Sequence, residues 1–75
     1  MTQSFEYTVI AHDAEEGGYW TEVAGLPGAG SQGETLEEAI ENTKESIQLV
    51  IETLREQGRE VPIPKEVVVK VTVAA

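Results

Sequence analysis

Cysteine is absent from this chain of 75 residues, which removes disulfides and thiolate metal ligands. Histidine occurs once, at His12, so a zinc site lacks its usual ligand set. Basic residues are scarce: five Lys and Arg face 14 Asp and Glu, for a formal net charge of -9. Phosphate recognition needs clustered Lys and Arg, so this balance argues against direct nucleic-acid binding. It favours a basic partner or a solvated acidic surface. No apolar run is long enough to span a bilayer. Met1-Thr2-Gln3-Ser4 opens without the basic and apolar regions of a signal peptide, so a cytoplasmic protein is expected. The length suits one domain, 1–75, and a core this small usually needs a staple. With disulfides and metals removed, oligomerisation is the remaining support, and a homo-oligomer is expected.

What the chain does have is a glycine-rich loop that runs into a helix start, from Gly25-Leu26-Pro27-Gly28 through Gly33 to Thr35. Thr35 is a good N-cap, and Glu38 three residues on completes a capping box: the Thr35 hydroxyl takes the Glu38 amide, and the carboxylate returns to the Thr35 amide. The helix is predicted over 36–57, with Gly58 as its left-handed C-cap. Leu36, Ala39, Ile40, Thr43, Ile47, Val50, Ile51 and Leu54 follow the helical period and form one stripe, from which Leu49 falls off.

Before the loop, 5–12 alternates as a strand, with Phe5, Tyr7, Val9 and Ala11 on one face and Glu6, Thr8, Ile10 and His12 on the other. Gly17-Gly18 closes a turn, and 19–24 returns as a second strand. A short third strand is expected around 29–32. After the helix, Val61-Pro62-Ile63-Pro64 reads as an extended connector. Residues 65–73 read as a final strand, with Val67, Val69, Val71 and Val73 on one face. The order is β-β-β-α-β, an α+β fold. A right-handed crossover places the last strand beside the first, giving a four-stranded mixed sheet in order 3-2-1-4 with the helix on one face.

No catalytic, cofactor or metal site emerges. A phosphate cradle at the glycine loop lacks the P-loop Lys-Ser or Lys-Thr pair, and Glu34, Glu37 and Glu38 would repel an anion there. The element order is similar to part of the ribonuclease H architecture, whose catalysis uses acidic residues on the first strand, the helix and the fourth strand. Here the first strand centres on Thr8-Val9-Ile10, and the last carries only Glu66, at its start. His12 and Asp13 point to opposite faces of a strand and do not form an acid–base pair. Ser31, Ser46, Thr21 and Thr35 have no base partner at a suitable spacing. The outer sheet face offers more. Alternation places Ile10, Thr8, Trp20, Glu22 and Val68 on the side away from the helix, and exposed Ile10 and Trp20 would make an interface patch. A bulge or twist that turned Trp20 inward would abolish it. Leu49 is a second candidate contact.

Gly17-Gly18-Tyr19-Trp20, Leu26-Pro27-Gly28, Gln32-Gly33-Glu34-Thr35-Leu36-Glu37-Glu38-Ala39, Asn42, Ser46-Ile47, and Gly58 with Pro62-Ile63-Pro64 together resemble the HicB family of antitoxins over nearly the whole chain. The resemblance implies a partial ribonuclease H-like fold without nuclease activity. It also implies neutralisation of a HicA-like toxin, a small basic messenger-RNA-cleaving protein, by protein–protein contact. Many members have cysteine where Ala29 stands. Full-length members also carry a C-terminal DNA-binding domain, which is not expected within 1–75. The alternative is a stand-alone homo-oligomeric structural or regulatory domain.

Overall fold

A computed structural model describes residues 4–75; Met1-Thr2-Gln3, read above for a targeting segment, lies outside the described residues. The elements run β1 (Val9–Asp13), β2 (Tyr19–Val23), β3 (Gln32–Gly33) and α1 (Leu36–Glu56). The fold is α+β: a three-stranded antiparallel sheet in order β1-β2-β3 with the helix on one face. The β1–β2 hairpin pairs Val9 with Val23 and Asp13 with Tyr19, and the intervening turn passes through Gly17 and Gly18, both at positive φ. Thr21 and Val23 on the inner face of β2 are buried.

The helix begins as its sequence dictates. Thr35 is the N-cap, with φ -119° and ψ 162°, and its hydroxyl accepts the Glu38 amide at 3.1 Å. The returning carboxylate bond differs from expectation by one residue: Glu38 Oε1 accepts from the Glu34 amide at 3.1 Å, which ties down the approach to the helix. Glu37 and Glu38 in the first turn and Arg55 in the last complement the helix dipole. The far end is a Schellman closure. The Gly58 amide donates to the Arg55 carbonyl at 3.0 Å and the Arg59 amide to the Leu54 carbonyl at 2.8 Å, with Gly58 at φ 69°.

The core is small. Val23, Leu26 and Ala29 are buried, and Tyr7, Val9, Ile47, Val50 and Leu54 pack around them. Leu26 therefore does more than occupy a turn. Gly25 and Gly28, at φ 76° and 85°, bend the chain on either side of Leu26-Pro27 so that Leu26 drops under the helix. The third strand is shifted to Gln32–Gly33, and the Ala29 amide instead turns back to the Leu26 carbonyl at 3.3 Å. Gly33 serves close approach: a Cβ there would stand 2.5 Å from the Ala39 amide nitrogen.

Two expectations about strands need correction. The first strand starts at Val9 rather than Phe5, although the Ala24 amide still reaches the Thr8 carbonyl at 2.9 Å. Residues 59–75 form no strand, so within one chain the described sheet has three strands and not the four of the mixed order 3-2-1-4. The cause is the path of the connector. The Tyr7 hydroxyl donates to the Pro62 carbonyl at 2.7 Å, and the Glu66 carboxylate lies over Gly25. The chain is carried across the end of the hairpin and leaves without meeting a strand edge.

Candidate functional site

The outer sheet face is built by the β1–β2 register. Ile10 pairs with Glu22 and His12 with Trp20, so all four side chains share the side away from the helix. Trp20 does not turn inward: it is 44% exposed, and Ile10 is 46% exposed. The His12 and Trp20 rings are stacked, with centroids 4.1 Å apart and planes 20° from parallel. His12 Nε2 donates to Glu22 Oε2 at 3.0 Å. Held by the indole on one side and the carboxylate on the other, His12 fixes the rotamers of two candidate contact residues.

A cleft of about 630 Å³ borders this patch and shares Trp20 as a wall, with Gly18, Gln32, Glu34, Glu38 and Asn42 along it. Asn42 Nδ2 donates to the Gln32 carbonyl at 2.8 Å and holds the helix against β3. The cleft thus joins an aromatic wall to two carboxylates at the helix start, a surface suited to a cationic side chain.

The other candidate residues lie elsewhere. Leu49, 64% exposed, is on the helix and so on the opposite side of the sheet from Trp20. Val68, 65% exposed, belongs to the unpaired segment after the connector. The structure therefore gathers Ile10, Trp20 and Glu22, and adds His12. The signal for His12 was its alternation with Ile10 in the same strand.

Thr21, Ser31 and Thr43 have a structural task that spacing did not reveal. The Thr43 hydroxyl donates to the Ala39 carbonyl and sits 2.6 Å from the Thr21 hydroxyl, both buried. The Thr21 oxygen accepts the Ser31 amide at 2.8 Å, and the Thr21 amide donates to the Ser31 carbonyl at 2.8 Å. Strand, loop and helix are joined by one chain of hydroxyls, with no buried polar side-chain atom unpaired among the described residues. At the other end of the sheet, burial pushes the Tyr7 hydroxyl above its ordinary 10.0, against the lowering pull of Arg55. Among the described residues, no three His, Asp or Glu side chains converge as a metal site would need. No helix there is long and apolar enough to cross a membrane.

A UPF0150 protein of Synechocystis is 44% identical over 64 residues, which cover 85% of this chain and 78% of the relative. A UPF0150 protein of Thermoplasma acidophilum is 42% identical over 57 residues, 76% of this chain and 83% of that one. Antitoxin HicB 1 of Photorhabdus laumondii is 32% identical over 64 residues, 85% of this chain but 41% of the antitoxin. Residues 7–73 match the family described as HicB_like antitoxin of bacterial toxin-antitoxin system, and the chain belongs to that family.

Proposed function

We propose that this domain neutralises a small basic HicA-like toxin by covering its surface, acting as a cytoplasmic binding protein and not as an enzyme. The observation that carries this function is the Ile10–Trp20 patch, which is apolar at its centre and flanked by Glu22 and by the cleft with Glu34 and Glu38. Aromatic anchors supply contact energy, and the surrounding carboxylates steer a basic partner into register. The charge of -9 extends that steering field over the whole molecule. The same charge sets the domain against direct contact with nucleic acid. No cofactor has a part in such a function. The partial ribonuclease H-like fold goes with it as the completed form of the domain, with the valines of 67–73 as the fourth strand.

The test is binding to a small basic toxin encoded beside this chain, by calorimetry, together with rescue of growth on co-expression. Trp20→Ala is expected to weaken binding by tenfold or more, on the order of a hot-spot loss. Glu22→Lys is expected to slow association and to reduce its salt dependence. A toxin bound equally well by wild type and both variants would remove this face from the function.

A stand-alone oligomeric domain without a toxin is the second reading, favoured by the exposed valines after the connector. It predicts a stable oligomer and no effect on the toxicity of any neighbouring gene product.

A further inference from the structure

Part of the helix stripe has no partner within the chain. Ile40, Ile47 and Ile51 stand over the open edge of β1, and with Phe5, Tyr7 and Val9 they line an apolar groove of about 670 Å³. β1 is an edge strand, paired with β2 alone. Ala11, on the helix side of β1, is exposed. An unpaired edge beside an apolar groove is a template for another strand.

A strand of matching chemistry lies unused in the same molecule. Val67, Val69, Val71 and Val73 alternate along an extended segment and are 85%, 72%, 77% and 77% exposed. Residues 67–73 span roughly 23 Å as a strand, the length of 7–13, which comprise β1 and its lead-in. The whole molecule shows the same incompleteness. Its exposed surface is 6295 Å². A compact protein of its size would expose about 4,500 Å². Its radius of gyration is 14.3 Å, against roughly 11 Å for a compact chain of this length. The surplus of about 1,800 Å² exceeds the roughly 800 Å² that each partner of a standard interface buries.

The path and the charge both select the occupant. From Pro62 at Tyr7 to Glu66 at Gly25, the connector moves from β1 toward β2, away from the open edge. Reaching its own β1 edge would require the chain to break both contacts and double back. Residues 59–75 carry three of the five basic residues and two of the 14 acidic ones, whereas the preceding body is strongly acidic. A slightly positive strand suits the groove of another acidic body. A basic protein would be drawn to the acidic body instead. We infer that residues 67–73 pair with the open β1 edge of a second copy, their valines filling its groove, and that the exchange is reciprocal. Each copy then completes the other's four-stranded sheet, and the dimer closes on a two-fold axis. The outer face with Trp20 stays on the far side of each sheet, free for a different partner.

The test uses a 1:1 mixture of ¹³C-labelled and unlabelled chain. Isotope-filtered NMR is expected to show contacts between valine methyls of 67–73 in one copy and methyls of Ile40, Ile47 and Ile51 in the other. Light scattering is expected to give twice the chain mass of 8.1 kDa. Val71→Pro removes a ladder donor, and its mass is expected to fall to that of one chain with the helical circular dichroism retained. If proline also costs the helix, the filtered contacts decide alone. A monomeric wild-type chain overturns the inference, as does a dimer whose valine contacts stay within one chain. A dimer that survives Val71→Pro overturns it too, because its interface would lie elsewhere.

Discussion

The two sides of the helix are finished to different degrees. On the side facing β3 and the loop, Ala39 and Thr43 are fully buried, and Gly33 lets the backbones touch. On the side above β1, Ile40 and Ile51 are only half-buried and line an open groove. The sealed side uses small residues and side-chain hydrogen bonds, from Asn42 to the Gln32 carbonyl and between the Thr43 and Thr21 hydroxyls. The open side has the larger apolar surface and the fewer partners. Small residues close a seam within one chain, because close approach brings polar groups into bonding range. Large apolar residues at a sheet edge need a further element, and here that element is detached.

Breaking the sealed side should cost most. Gly33→Ala places a Cβ against the Ala39 amide, where neither backbone has room to yield. A loss of about 3 kcal/mol is expected in urea denaturation, the upper range for overpacking. Should Gly33→Ala prove neutral, the seam would be looser than drawn. Thr43→Val keeps the shape but removes one bond of the buried hydroxyl chain, leaving the Thr21 hydroxyl with its Ser31 bonds alone. The expected cost is about 1 kcal/mol by the same measurement. Thr35→Ala removes the cap that positions the helix over the seam, at about 1 kcal/mol.

The open side should answer most weakly, and to pH. The folded state raises the Tyr7 hydroxyl pKa, so the neutral phenol is the form that folding favours. Its contribution is complete below the unfolded value and is lost as pH rises through the higher folded value. Alkaline titration of stability should therefore fall above about pH 10, the ordinary phenol range, and the Pro62 carbonyl should lose its donor. Tyr7→Phe should flatten that part of the profile while leaving the Gly33 and Thr43 effects unchanged. If the profile stays the same in Tyr7→Phe, another group is responsible.

The sealed side was only partly legible beforehand. Thr35 and Glu38 announce a capping box through spacing alone, and Gly58 announces the helix end, since both are contacts within a few residues. The return bond fell on Glu34 because the loop's approach angle, set by Gly33 against Ala39, decides which amide is nearest. Thr21 and Thr43 are 22 positions apart, and nothing local signals that their hydroxyls meet. Leu26 reads as a turn residue because glycine and proline surround it, and Ala29 as the start of a short strand, yet the fold uses both as core. On the outer face, strand alternation was enough to bring Ile10, Trp20 and Glu22 together. It could not extend to Val68, whose place depends on where the connector goes.

Periodicity and short-range chemistry thus settle the helix, its two ends, the hairpin and the side of the sheet on which Trp20 stands. These features depend on neighbours within a turn or a ladder rung. The core plug at Leu26, the hydroxyl chain through Thr43 and the fate of the valines in 67–73 belong to the folded whole. Each depends on contacts between remote segments, and for the last strand the Pro62 and Glu66 contacts at the sheet end decide which edge is within reach.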